Sequence, residues 1–140
     1  MNILIDTNVV IDVLAQRELF FEQSQLVLLA SEEKIINGYI SATAITDIFY
    51  ITNKIIKSKK NAKELLKKLI VDTVKVAMVD ETMILQALDA GWDDFEDCVQ
   101  NYVGESISAD YIVTRNPNDY SEAVIPVLTP EEFLDIIAPE

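Results

Sequence analysis

Apolar residues along the chain fall into two rhythms. Short runs rich in β-branched residues occur at Ile3 to Asp6, Gly38 to Ser41, Val74 to Val79, Tyr111 to Thr114 and Ile125 to Leu128. These predict strands. Between them apolar positions recur at three- and four-residue steps, as in Ile45, Ile48, Phe49, Thr52, Ile55 and Ile56. That spacing predicts helices over about 8–14, 19–34, 43–57, 60–71, 81–90, 95–104 and 130–137. Strands buried on both faces and joined by helical crossovers imply an α/β fold of three layers, α/β/α, with a largely parallel central sheet of about five strands. No repeat, low-complexity tract or linker interrupts the pattern, so residues 1–140 are read as one domain.

Composition narrows the class. Half the residues are hydrophobic, yet no stretch approaches the ~18 uninterrupted apolar residues of a membrane span. A first strand opening at residue 2 or 3 leaves no room for a secretory leader, and the lone Cys98 has no intrachain partner. Both features fit a cytoplasmic protein in a reducing compartment. One cysteine and no histidine exclude zinc sites built from Cys and His. Any metal must take oxygen ligands, which favours Mg²⁺, Mn²⁺ or Ca²⁺.

A net charge of -13 by itself argues against a polyanionic partner. The distribution changes that reading. Residues 1–79 carry ten Lys/Arg against nine Asp/Glu, whereas residues 80–140 carry one Arg against fifteen acids, and seven of the eleven basic residues lie between Lys54 and Lys68. A basic ridge beside an acidic hollow is the expected outcome.

In open parallel sheets ligands collect beyond the C-terminal strand ends, and the acids fall there. Asp6 closes the first strand, Asp47 lies one turn into the helix after the second, and Asp94 and Asp97 open the helix before the fourth. Asn116 and Asp119 follow that fourth strand. Each has a local reading too: Asp6 and Thr7 as a helix cap, Asp94 and Asp97 as acids favouring a helix N-terminus, Asp47 likewise for its own helix, and "NPNDY" as a turn. Four independent segments delivering carboxylates to one edge outweigh four separate coincidences, because clustered carboxylates repel unless they bind a cation.

The segments "ILIDTNVVIDVL", "DFEDCVQ" and "ADYIVTRNPNDYS" resemble the signature regions of PIN-domain proteins, in order and over nearly the whole chain. The resemblance implies a PIN-like fold and a metal-dependent ribonuclease using Mg²⁺ or Mn²⁺, often a toxin of the VapC type. An RNA substrate, a small antitoxin partner and a homodimer come with it. Carried over by residue, Asp6, Asp97 and Asp119 match the family's acids, and Asp47 falls where glutamate is usual. Asp47 is one methylene shorter, a loss of reach of ~1 Å, which matters at a reacting centre. Asn116 stands where many toxin-type members place a fourth acid, leaving Asp119 as its substitute.

Around these acids, Asn8 and Thr114 could orient carboxylates, and so could Ser41. Arg115 is a candidate for holding the scissile phosphate, and Lys54 and Lys57 for tracking the RNA backbone, although a lysine-rich helix face is commonly just solvated. Phe49, Tyr50, Phe95 and Tyr102 sit at core spacing and read as packing, as does Cys98. Trp92 reads equally as an interface residue or a loop anchor. Two other classes compete: a PIN-fold binding module that has lost catalysis, motivated by Asp47 and Asn116, and a phospho-receiver domain with Asp80 as phosphoacceptor. A receiver would need a lysine after the last strand, where this chain has none.

Overall fold

A computed structural model describes residues 1–138. Its sheet runs in the order β3-β2-β1-β4-β5, with every neighbouring pair parallel. The strands are β1 (Asn2–Ile5), β2 (Asn37–Ser41), β3 (Lys75–Ala77), β4 (Tyr111–Val113) and β5 (Val127–Leu128). The helices are α1 (Thr7–Leu14), α2 (Phe21–Glu32), α3 (Ala42–Ile56), α4 (Lys59–Lys68), α5 (Glu81–Asp89), α6 (Phe95–Ser106) and α7 (Pro130–Ile137). The three-layer α/β/α fold expected from the two rhythms is the fold observed.

The pleat of β1 divides the core. Ile3 and Ile5 point to the face covered by α1, α2, α3, α4 and α7, while Leu4 points to the face covered by α5 and α6. All three are fully buried, as a central strand between two helical layers must be.

Strand order places the site. Chain connections leave β1 toward β2 and β3 on one side and reach β4 and β5 on the other, so the direction reverses between β1 and β4. The C-terminal ends of β1 and β4 therefore flank a crevice of the kind in which parallel sheets bind ligands. The register pairs Ile5 with Val113, which sets Asp6 beside Thr114.

Several boundaries differ from the hydrophobic pattern for local reasons. Helix α4 does not run on to residue 71: it widens over Leu69–Thr73 into a π turn closed by Val74 N–H donating to Leu69 O at 3.0 Å. Strand β3 is shorter than its apolar run because β2 pairs only with Lys75 to Ala77. Strand β5 begins after Pro126, which has no N–H to give to a ladder.

Candidate functional site

Asp6 ends β1 and turns the chain into α1. Its Oδ1 accepts from Thr7 N–H at 2.7 Å, capping the helix. Its Oδ2 accepts from the Thr114 hydroxyl at 2.8 Å and the Tyr120 hydroxyl at 3.1 Å. One carboxylate thus serves both the cap and the crevice. Thr114 Oγ1 itself accepts from Asn8 Nδ2 and from Asn116 N–H, both at 3.2 Å, so three sequence-predicted residues form a chain behind Asp6. Burial pushes the Asp6 carboxyl up, against the lowering by its Thr114, Tyr120 and Thr7 donors.

Across the crevice Asp94 caps α6, its Oδ1 accepting from Asp97 N–H at 3.0 Å. That bond fixes the first turn of α6, from which Asp97 projects half-buried. Its carboxyl is pushed up to about 7, first by burial and then by the charges of Asp6, Asp94 and Asp119, against a hydrogen bond from Tyr120. Glu96 is raised too, by burial and then by Asp47, Asp94 and Asp6. Asp6, Asp47, Glu96 and Asp97 line one cleft of about 270 Å³ whose lining contains no lysine or arginine. Asp94 and Asp119 line a second hollow of about 200 Å³ together with Trp92 and Asn118, and the charge of Asp119 is felt at both Asp6 and Asp97.

The donor set suits a hard divalent cation in kind: carboxylate oxygens with no lining cation to offset them, in a cleft where burial and then mutual repulsion disfavour the charged form of Asp97. Among the described residues no three acids converge as a ready-made metal site.

A family model of the PIN domain matches residues 2–118. The chain belongs to the PIN-domain family. It is 28% identical over 138 residues to Ribonuclease VapC1 of Aquifex aeolicus (strain VF5), an alignment covering 95% of this chain and 93% of that one. Among solved structures it resembles FitAB bound to IR36 DNA fragment, with a TM-score of 0.67 at 18% identity over 99% of this chain and 97% of that one. FitAcB from Neisseria gonorrhoeae follows with a TM-score of 0.64 at 19% identity, over 92% of this chain and 98% of the other. These two likenesses bear on the fold. The matched PIN-domain stretch contains Asp6, Asp47, Asp97 and Asn116 but stops one residue before Asp119.

Family membership sets the phospho-receiver reading aside, and the geometry agrees: Asp80 caps α5, accepting from Met83 N–H at 2.9 Å, and is absent from the cleft lining. Arg115 is placed differently from a phosphate clamp, with its Nε 2.8 Å from Asp12 Oδ2 and its guanidinium over the Phe20 ring. Lys54 and Lys57 lie seven and ten residues beyond Asp47, roughly 10 and 15 Å farther along α3, and Lys54 rests over Tyr50. Tyr50 and Phe95 are 62% and 42% exposed, so core spacing misjudged both. Phe95 lines the cleft. Cys98 is buried in the core, and Ser41 caps α3, its Oγ accepting from Ala44 N–H. Trp92 packs edge-on against Tyr120, centroids 6.3 Å apart, which makes it a loop anchor.

Sequence reasoning passed over Tyr120, Glu96 and Gln100. The first two stood inside quoted motifs beside singled-out acids, so adjacency was the available signal. Gln100, one turn beyond Glu96 and Asp97, lines the cleft with its Oε1 buried and unpartnered.

Proposed function

We propose that this PIN domain is a metal-dependent endoribonuclease of the VapC kind, the toxin of a pair neutralised by a small antitoxin. The observation that carries this reading is that Asp6, Asp47, Glu96 and Asp97 line one cleft without a basic side chain. The 28% identity to Ribonuclease VapC1 along nearly the full length of both chains supports it.

Asp6, Asp97 and Asp119 would hold Mg²⁺ or Mn²⁺, which supplies Lewis-acid activation of the phosphodiester and of water. The remaining work belongs to the chain. Three donors fix the Asp6 carboxylate before any ligand arrives, so little reorganisation is needed on binding. Asp97, whose carboxyl is pushed up to about 7, would have to be deprotonated to serve as a ligand, so its proton is the one this site would give up on loading. Asp47 and Glu96, both exposed, line the same cleft, and Glu96 carries the side chain longer by one methylene. Lys54 and Lys57, distant from this cleft, meet RNA phosphates outside the scissile position, and Arg115 takes no direct part at that position.

An antitoxin segment carrying positive charge would neutralise the cleft and exclude RNA. Exposed Leu85 and Leu88 on α5 and Tyr50 and Ile55 on α3 supply apolar surface for a homodimer. A reducing cytoplasm suits the unpaired Cys98.

The test is RNA cleavage by purified protein with Mn²⁺ or Mg²⁺, compared with EDTA and with an Asp6→Asn/Asp97→Asn variant purified identically. Cleavage lost in both controls is the expected result. Equal activity of wild type and variant assigns the cleavage to a contaminant and leaves a PIN-fold binding module as the reading.

A further inference from the structure

Asp12 is a fully buried charge that lines no part of the cleft, lying about 9 Å beyond Asp6 along α1. Burying a carboxylate is costly unless cations offset it. One of its two cations comes from the loop after β4. Arg115 Nε sits 2.8 Å from Asp12 Oδ2, and Arg17 Nη1 sits 3.5 Å from Oδ1. The Arg115 guanidinium also lies 4.3 Å over the Phe20 ring, which leaves it 22% exposed. The contact is charge pairing without hydrogen-bond alignment.

Asn8 stands one turn before Asp12 on the same face of α1, and its Oδ1 accepts from Arg115 N–H at 3.2 Å. A single helix therefore grips Arg115 twice, by main chain and by side chain. The residues flanking Arg115 are the ones that complete the site. Thr114 donates to Asp6, Asn116 N–H donates back to Thr114, and the turn Pro117–Tyr120 brings the Tyr120 hydroxyl to Asp6.

We propose that the Asp12–Arg115 pair is a latch, set outside the cleft, that positions the Thr114–Tyr120 loop against Asp6 and thereby sets the cleft's affinity for a divalent cation. Asp12 is then a positioning residue that touches neither substrate nor ion. The inference rests on the ribonuclease reading and deepens it. A pair that served stability alone would leave the folded loop where it is. Trp92, the chain's one tryptophan, packs at 87° against Tyr120 and reports on the loop directly.

The experiment compares wild type with Asp12→Asn, Arg115→Gln and Arg115→Lys under native conditions. It reads acrylamide quenching of Trp92 without metal, Mn²⁺ affinity by electron paramagnetic resonance, and kcat and KM on RNA. With Asp12→Asn and Arg115→Gln, quenching should rise and Mn²⁺ affinity should fall about tenfold or more, the range expected when the partners of metal ligands are lost. The loss of cleavage should lie in kcat rather than KM. Arg115→Lys, which keeps a cation facing Asp12, should recover most of the wild-type quenching and affinity. If Asp12→Asn fails to fold, the Gln and Lys variants decide. A folded Asp12→Asn or Arg115→Gln with wild-type quenching and Mn²⁺ affinity overturns the latch, and so does equal behaviour of the Gln and Lys variants. Wild type that binds Mn²⁺ but cleaves no RNA defeats the ribonuclease reading while the quenching and affinity comparison still judges the latch.

Discussion

Asp97 concentrates the electrostatics of the cleft in a single proton. Its carboxyl ordinarily titrates at 3.8 and here is pushed up to about 7. Between those values the folded protein holds a proton that the unfolded chain has released, so folding is favoured at the acid end of the window and increasingly opposed as pH rises through it. Above about 7 the penalty is fully present. Asp6 and Glu96, also raised, act in the same sense. Metal-free protein should therefore lose thermal stability between pH 5 and pH 8 at constant ionic strength. Asp97→Asn should flatten that profile and raise Tm at pH 8 by a few degrees, on the order of 1 kcal/mol. Calorimetry across the pH series checks this, and a variant that melts below wild type at pH 8 would count against a repulsive cluster. Such a gain from removing a charge at the candidate site would be the usual trade between stability and function.

Elements bring these residues together, and one close approach sets how tightly α2 packs on β2. Gly38 in β2 faces α2, where an added Cβ would fall 2.9 Å from Ser31 Cβ, 3.1 Å from Ile5 Cδ1, and closer still to Ser31 Oγ. Ser31 cannot swing aside freely, because its hydroxyl donates to Thr73 O at the end of the π turn. Gly38→Ala should cost about 1–3 kcal/mol through overpacking, read as a lower denaturant midpoint with an unchanged m-value. An unaffected midpoint would mean that α2 gives way easily. The elements themselves were legible because β1 and its neighbours are apolar on both faces while the helices carry a three-four rhythm, two patterns that burial imposes directly on sequence. Asp6 and Asp97 were legible because each sits at a strand or helix end, and Asp47 because it lies one turn into the helix after β2, whereas Glu96 was passed over beside them. The orientation of Arg115 was not, since a cation among acids reads as a phosphate contact until the fold supplies Asp12, 103 residues away, as a buried partner. Tyr120 was missed for a related reason: it lies in an aperiodic loop, and its bond to Asp6 spans 114 residues. Pairings of that kind depend on strand order, which no local pattern encodes.

The whole molecule carries -13, with fifteen acids and one arginine from residue 80 onward. Self-repulsion of that size destabilises the compact state, and it is screened as the Debye length falls from about 30 Å at 0.01 M salt to about 8 Å at 0.15 M. Sodium chloride should consequently raise the Tm of metal-free protein. A specific cation site adds a separate term that depends on binding rather than on screening. Magnesium at a hundred times its dissociation constant stabilises by about 2.7 kcal/mol, or roughly ten degrees for a chain of this size. Wild type should thus melt well above its ionic-strength-matched sodium control when Mg²⁺ is present. The Asp6→Asn/Asp97→Asn variant should keep the sodium response and lose the magnesium excess. Differential scanning fluorimetry separates the two effects: equal responses to the two salts in wild type would reduce the cleft to a charged surface. An excess present in wild type and absent in the variant would locate a metal site at Asp6 and Asp97 whether or not RNA is cut. That distinction separates an ion-binding PIN fold from a working nuclease, because a cation binds wherever the acids supply enough charge and reach, whereas cleavage also requires RNA to be placed against it in a reactive geometry.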